Sequence, residues 1–274
     1  MSGKTKVAGL IFVCLFWIFI SLRPAAAQGG YVTISVSDPG TIQGVVKWTG
    51  TVPKIPKLPI TKNEQVCDPQ NTKTRDLERL LIGPDGAVEN TVVYLKNVSE
   101  GKAMAIPDQR WHLDQKNCRY VPHILIVPVG SALQIESSDP ILHTVHMSGA
   151  ASNNIPFPFQ GQYIPAMMRE PGVVNLKCNA GHVWMNAEVI VVKNPYVAVT
   201  DEQGRFKISD VPPGDYEIEA WHEGWRIISE ESVLDVSSQV EVKRPIYSSP
   251  ETWDKKVTVK GGQTSTVDFA LSER

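Results

Sequence analysis

Short apolar runs that end at turn residues are the feature that most limits how this chain can fold. Glycine and proline each occur 20 times among the 274 residues, without a repeat period. The runs between them are short and rich in Val, Ile and Thr, and several alternate polar with apolar residues, as in 174–178 and 205–208. This pattern favours many strands over long helices. We therefore expect an all-β chain that is long enough for two domains.

The N-terminus predicts a secretory signal peptide over residues 1–27. Lys4 and Lys6 precede an apolar run from Val7 to Leu22, and three alanines at 25–27 offer a cleavage site of small residues. The run is too short for a membrane span, although an uncleaved anchor remains the alternative. We expect a periplasmic or secreted protein with no stable membrane span after cleavage.

The charge balance argues against nucleic acid as a partner. The chain has 27 Lys and Arg residues against 29 Asp and Glu residues. Removal of the leader takes away basic residues and no acidic ones, and no basic stripe remains.

The cysteines divide into a pair and a single thiol. Cleavage leaves three of them, and exported proteins tend to pair their thiols. Cys67 and Cys118 lie in polar, loop-like stretches, and we predict a disulfide between them. Cys178 then stays free at the end of an alternating run, where it shares one face with Val174 and Leu176. Most lone cysteines are inert core residues, but here a His and a Met follow within seven residues.

The segment from Cys178 to Met185 predicts a copper site. It places a thiolate (Cys178), an imidazole (His182) and a thioether (Met185) in one short loop. Soft sulfur ligands combined with imidazole select copper, and two imidazoles, a thiolate and a distant axial Met form an electron-transfer copper site. Met185 and its neighbour Trp184 could instead be plain core residues behind a structural cysteine.

The second imidazole must come from elsewhere in the chain. His143 follows the turn at Asp139–Pro140 and would begin a strand, so we prefer it, with His146 as the alternative. Residues three apart on a strand face opposite sides, and therefore only one of the two can point at Cys178. We interpret the remaining histidines as structural or surface residues: His112, His123 and His222.

These residues resemble a cupredoxin over roughly 103–193. The resemblance is carried by the run 129–135, the Asp139…His143 segment and the downstream Cys…His…Met loop. It implies a Greek-key sandwich that holds one copper ion at one end and shuttles electrons. The loop is also similar to the latter half of the dinuclear copper loop of cytochrome oxidase subunit II, but Val174 stands where that loop has another cysteine. A mononuclear site is therefore implied.

Residues 194–274 resemble the carboxypeptidase regulatory-like, transthyretin-type β-sandwich. The segment from Thr200 to Tyr216, with its Val211-Pro212-Pro213-Gly214 turn, carries the resemblance. That family is usually structural or adhesive and has no catalytic residues. We also expect a last hairpin that joins 257–259 to 267–271 through the turn at 261–262.

Residues 28–102 form an N-terminal β segment with two possible assignments. The runs 41–48 and 91–95 are strands. Either they are the first strands of the regulatory-like sandwich, in which case the cupredoxin domain is inserted into it, or 80–100 supplies the copper domain's own first strand. Insertion is tolerated where chain ends lie close together.

The segment 155–168 is aromatic, broken by prolines and ends in two methionines. It is either an apolar docking rim, where a redox partner would approach His182, or a loop that covers the core. The sequence leaves both interpretations open.

We expect single-electron transfer to or from a protein partner, with His143, Cys178, His182 and Met185 holding one copper ion. A copper carrier or storage protein, and a metal-free structural or adhesive sandwich, are the alternatives. We do not expect an enzyme, because four protein ligands leave no open position for a substrate. A hydrolytic zinc site at Cys178 and His182 would need a general base, and none is placed for that role.

Overall fold

The structure, a computed structural model, describes residues 30–104 and 111–273. The predicted signal peptide, residues 1–27, lies outside the described residues. Strands account for 52% of the chain and helices for 3%, so the all-β prediction is confirmed. Within the described ranges, no helix has the length and apolar character needed to cross a bilayer.

The elements follow one another along the chain. The first part contains β1 (Val32–Thr33), β2 (Gly40–Trp48), β3 (Leu58–Pro59), α1 (Glu64–Cys67), β4 (Thr74–Arg75), a 3-10 turn (Pro84–Gly86), β5 (Val92–Leu95) and β6 (Glu100–Gly101). The middle part contains β7 (His112–Gln115), β8 (Tyr120–Val121), β9 (Ile124–Pro128), β10 (Ala132–Ser137), β11 (His143–Gly149), β12 (Asn153–Phe157), β13 (Gln162–Met167), β14 (Gly172–Lys177) and β15 (Asn186–Val192). The last part contains β16 (Val197–Val199), β17 (Arg205–Val211), β18 (Gly214–His222), β19 (Ile227–Asp235), β20 (Val240–Tyr247), β21 (Glu251–Val259), β22 (Thr264–Thr266) and β23 (Phe269–Leu271).

Strands β7 to β15 form a sandwich that we call the inner sandwich. One sheet has the order β13-β10-β7-β8 and the other has the order β12-β11-β14-β15-β9. Alternation decides which side chains enter the core, since successive residues of a strand point to opposite faces. Val174 and Leu176 of β14 are buried in the same cluster as Leu133 and Ile135 of β10, and this cluster holds the two sheets together.

A second sandwich, the outer sandwich, is built from strands on both sides of the inner one in the chain. Its sheets have the orders β16-β5-β18-β21 and β17-β2-β22, with β23 also paired to β2. Strands β2 and β5 precede the inner sandwich, and β16 to β23 follow it. This is the strand pairing that a nested arrangement requires. In the alternative assignment, residues 80–100 would supply the first strand of the copper domain. The pairing of β5 differs from this, because β5 pairs with β16 and β18.

The last predicted hairpin is wrong. Strand β21 pairs with β18, whereas β22 and β23 pair with β2 in parallel. The turn at Gly261–Gly262 therefore carries the chain from one sheet to the other. Phe269 and Leu271 enter the outer core, and β23 covers an edge of β2 that would otherwise leave backbone groups unpaired.

Two further segments of the outer part reach over to the inner sandwich. The strap, residues 58–75, contains β3, α1 and β4, and its Ile60 and Cys67 are buried in the inner core. The hairpin β19–β20 packs Ile227 and Tyr247 against the same core. These two segments cover the end of the inner sandwich where β14 runs into β15.

Elsewhere, the two sandwiches meet at a junction that buries charge as well as apolar surface. Arg79 approaches Glu223 at 2.7 Å and Glu188 at 3.6 Å, and His123 bonds to Glu223. Burial and the negative charge of Glu223 raise the pKa of Glu188 to about 8. Glu188, in β15, is thus part of the junction.

Strand β2 cannot accept a side chain at Gly44. This residue shares the inward face with Ile42 and Val46, and a Cβ at Gly44 would lie 1.9 Å from the carbonyl oxygen of Val267. We expect Gly44→Ala to destabilise the protein by about 1–3 kcal/mol, the usual cost of overpacking. The denaturant midpoint followed by tryptophan fluorescence measures this, with Gly30→Ala as the control, because no atom lies within 4 Å of a Cβ there. Equal midpoints for the two variants would contradict the packing of β2 against the chain's last strands.

Candidate metal centre

Three predicted ligands meet at one end of the inner sandwich. His143 is the first residue of β11, Cys178 directly follows β14, and His182 lies in the loop between β14 and β15. The two Nδ1 atoms are 3.2 Å apart, and the Cys178 Sγ is 3.6 Å from the Nδ1 of His182. One ligand atom from each residue lies within 4.8 Å of the others, and all three residues have no exposed surface.

Both imidazole rings are held through their outer nitrogen. The Nε2 of His143 lies 2.9 Å from a carboxylate oxygen of Asp139, and the Nε2 of His182 lies 3.0 Å from the amide oxygen of Asn63. An ionised carboxylate and an amide oxygen can only accept, so each Nε2 carries the hydrogen and donates it. In a neutral imidazole the Nδ1 then presents a lone pair.

This arrangement fits a soft metal ion. Two nitrogen lone pairs and a thiolate would converge on one buried point, where they repel each other unless a proton or a cation lies between them. A thiolate and two imidazoles are the donors that copper prefers. His143, Cys178 and His182 would therefore hold the ion.

The ionisation of the site agrees with this geometry. Burial alone would raise the pKa of the Cys178 thiol, but above all a hydrogen bond from His143 and its positive charge bring that pKa well below its ordinary value. Burial alone would lower the pKa of His143, but hydrogen bonds to Asp139 and Cys178 raise it to about 9. Without metal, the site is thus a thiolate beside an imidazolium, and a metal cation would replace the proton.

Backbone and side-chain donors surround the cysteine. The Thr144 N–H lies 3.4 Å from the Cys178 Sγ, and the Thr144 hydroxyl accepts the N–H of Asn179 at 2.6 Å. The Arg244 guanidinium, from β20, donates to the carbonyl oxygen of Cys178 at 2.8 Å and to the side-chain oxygen of Asn179 at 2.9 Å. The ligand loop is therefore fixed from both the inner sandwich and the β19–β20 hairpin.

The other two candidate ligands have different positions. Met185 is buried at the end of the loop, and its N–H donates to the carbonyl oxygen of His182 at 3.0 Å. His146 lies three residues after His143 on β11, and residues three apart on a strand face opposite sides. None of the ligand groups found among the described residues includes it. Between the two alternatives for the remote imidazole, the structure brings His143 to Cys178.

As predicted, Cys67 and Cys118 form a disulfide, and Cys178 is free. The disulfide lies against the site. The sulfur atoms of Cys67 and Cys118 lie within 4.8 Å of a ring nitrogen of His182, and Cys118 is equally close to His143. The bond therefore joins the strap to the inner sandwich directly beside both rings.

The segment 155–168 buries some of its apolar side chains and exposes others. Phe157 and Met168 are buried in the inner core, whereas Phe159 is 71% exposed at the β12–β13 turn. His182 has no exposed surface, so a partner cannot touch it at this rim. That part of the docking interpretation is wrong, because the strap covers the ring.

The residues that orient the ligands were not among the predicted site residues. Asp139 lies four residues before His143, and that spacing could have indicated its role. Asn63 is 119 residues from His182, and Arg244 is 66 residues from Cys178. No local pattern marks either of them.

The family comparison concerns the C-terminal part of the chain. Residues 173–272 match the family model for the carboxypeptidase regulatory-like domain. The match begins within β14, and from β16 onward it covers the strands of the outer sandwich that follow the inner one. The predicted resemblance to this domain is thereby confirmed. A comparison with curated protein sequences finds no match.

Several solved structures are similar to part of this chain. A Cu-containing nitrite reductase from Thermus scotoductus SA-01 is 16% identical over 34% of this chain and 24% of its own, with a TM-score of 0.28. A purple cupredoxin from Nitrosopumilus maritimus is 24% identical over 27% of this chain and 81% of its own, with a TM-score of 0.24. An oxidized amicyanin variant is 22% identical over 36% of this chain and 98% of its own, with a TM-score of 0.29.

These partial likenesses extend over 27–36% of this chain. This chain spans about a quarter of the nitrite reductase's length. Function accordingly follows from the side chains of the site and not from these likenesses.

We expect the Asp139–His143 pair to stabilise the metal-free protein most at mildly acidic pH. A histidine whose pKa rises on folding to about 9 contributes stability that is fully present below its unfolded pKa, about 6.5, and is lost as the pH rises through 9. A shift of this size corresponds to roughly 3 kcal/mol. Asp139→Asn should therefore lower the free energy of unfolding more near pH 6 than above pH 9, as urea denaturation at a series of pH values would measure.

Asp114→Asn is the matched control, because Asp114 accepts from the backbone and hydroxyl of Ser138 nearby and not from a histidine. Its effect should change little between pH 6 and pH 9. A cost of Asp139→Asn that is the same at both pH values would mean that Asp139 does not hold the proton on His143.

Proposed function

We propose that this chain is an exported copper protein that exchanges single electrons with a protein partner. The thiolate of Cys178 and the Nδ1 atoms of His143 and His182 would hold the ion, and Met185 would add a thioether that tunes its potential. A bound copper ion supplies the one-electron couple. The observation that carries the proposal is the convergence of two hydrogen-bonded imidazoles and a low-pKa thiolate on one fully buried point.

The chain's own residues suit fast electron exchange rather than catalysis. Asp139 and Asn63 fix the two rings, and Thr144 and Arg244 fix the cysteine, so the ligands have little freedom to move when the charge at the site changes. A site that does not reorganise transfers an electron with a low barrier. The donor set leaves no open position, which argues against an enzyme that binds substrate at the metal.

Full burial also favours electron transfer over metal delivery. A carrier must release its ion to an acceptor, which requires that ligands or solvent reach it. Here His143, Cys178 and His182 are enclosed by the inner core, the strap and the β19–β20 hairpin. The enclosure therefore supports retention of the metal.

Two features support a location outside the cytoplasm. Residues 1–27 have the pattern of a secretory leader, and the buried Cys67–Cys118 disulfide needs an oxidising compartment. The reduced and oxidised partners would then be periplasmic or extracellular proteins.

The visible spectrum of the mature, disulfide-intact protein with one equivalent of Cu(II) tests the proposal. We expect an intense thiolate-to-copper band in the wild type and its loss in Cys178→Ser, because the transition needs the Cys178 sulfur. His146→Ala is the control, since His146 lies outside the ligand group, and it should keep the band. Far-UV circular dichroism would establish that each variant is folded.

Two outcomes would contradict the proposal. A colourless wild type would remove electron transfer through this site. A band that survives in Cys178→Ser, or that disappears in His146→Ala, would place the copper elsewhere in the chain.

A further inference from the structure

The edge of His182 is closed by a residue that comes from outside the inner sandwich. Asn63 belongs to the strap, which precedes β5 in the chain and is separated from His182 by 119 residues. Its side-chain oxygen lies 3.0 Å from the Nε2 of His182. The ring has no exposed surface, so this amide replaces the water that would otherwise hydrate the outer nitrogen.

We propose that Asn63 is a positioning residue of the metal centre, an inference that rests on the proposed function. By accepting the Nε2 hydrogen, Asn63 fixes the tautomer in which the Nδ1 of His182 presents its lone pair. That lone pair faces the Sγ of Cys178 at 3.6 Å and the Nδ1 of His143 at 3.2 Å. The other tautomer would place a hydrogen there and could not bind a metal through Nδ1.

The strap is built to hold Asn63 in place. Asn63 has a left-handed backbone with φ 52° and ψ 40°, and its carbonyl oxygen accepts the N–H groups of Val66 and Cys67 at 2.9 Å each. Asparagine tolerates this conformation better than most residues with a side chain. Four residues later, Cys67 is bonded to Cys118. The amide is thus anchored on its C-terminal side by a short turn and a covalent bond.

The β19–β20 hairpin anchors the strap on the other side. Lys62, next to Asn63, forms an ion pair with Asp235, and the N–H of Val236 donates to the carbonyl oxygen of Asn179 at 3.0 Å. Gly181, next to His182, has a φ of 82°, and a Cβ there would lie 2.5 Å from the Asp235 carboxylate. Strap, hairpin and ligand loop are therefore in contact, and the outer part of the chain completes the metal centre.

Removal of the Asn63 amide should loosen the metal without removing a ligand. Partners of metal-binding histidines typically contribute about 10–100-fold to metal affinity. Asn63→Gly deletes the acceptor and keeps the left-handed backbone accessible. We expect Cu(I) loss to a chelator to accelerate about tenfold or more. We also expect the remote-nitrogen coupling of one imidazole in the electron spin echo spectrum of the Cu(II) form to change.

Asn71→Gly is the matched control. Asn71 lies in the same strap, has a similar φ of 56° and is exposed. It should match the wild type in copper loss and in spin echo spectrum. Asn63→Asp retains an acceptor oxygen and should restore the wild-type coupling pattern.

The tautomer of His182 in the metal-free protein provides a readout that does not depend on copper. A long-range 1H–15N spectrum should show hydrogen on Nε2 and a bare Nδ1 in the wild type and in Asn71→Gly, and a mixture of tautomers in Asn63→Gly. If Asn63→Gly keeps the single tautomer, Asn63 does not position the ring. Equal acceleration of copper loss by Asn63→Gly and Asn71→Gly would likewise overturn the inference, because strap stiffness would then be responsible.

The failure of this inference is distinguishable from failure of the proposed function. A wild type without the thiolate-to-copper band would refute electron transfer, while the metal-free spectrum would still decide whether Asn63 fixes the ring. A wild type with the band and an unchanged Asn63→Gly variant would refute only the role of Asn63.

Discussion

Hydrogen bonds to the outer nitrogens of two imidazoles set the geometry of the candidate metal centre. Asp139, which itself accepts the backbone N–H groups of Asn117 and Cys118 at 2.8 and 2.7 Å, orients one ring. Asn63 orients the other. With both outer nitrogens occupied, the inner ones converge on a buried thiolate, and the site is organised before any metal arrives. Neighbouring parts of the chain are arranged to keep these two acceptors in place.

The nested arrangement explains how residues so distant in sequence hold one loop. The outer sandwich takes strands from both sides of the inner one, so its connections are free to reach across the metal end. The strap leaves β2 and returns to β5, and the β19–β20 hairpin extends between β18 and β21. The part of the chain that matches the regulatory-like family model thus supplies contacts to the ligand loop.

The parts of the candidate site whose geometry depends on spacing alone could be predicted from the sequence. His182 follows Cys178 by four residues, so their loop brings the two side chains together, and alternation along β11 allowed only one of His143 and His146 to face Cys178. The pairing of the last strands was predicted wrongly, because strand pairing there is decided by tertiary packing. The turn residues at 261–262 mark a turn correctly but do not say which strands pair, and β22 and β23 joined β2 instead of β21. The position of Asn63 depends on the whole fold, so no local pattern could reveal it.

The chain order of the two sandwiches has a consequence for how the protein assembles. Strand β5 pairs with β16 through Tyr94 and Val197, and the entire inner sandwich lies between them in sequence. Closing such a long loop is entropically costly, and contacts between distant residues form slowly. The inner sandwich, whose strands are close in sequence, is therefore expected to form first. The ligand loop would then be open to the surroundings until the later strands close the outer sandwich and bring the strap and hairpin over it.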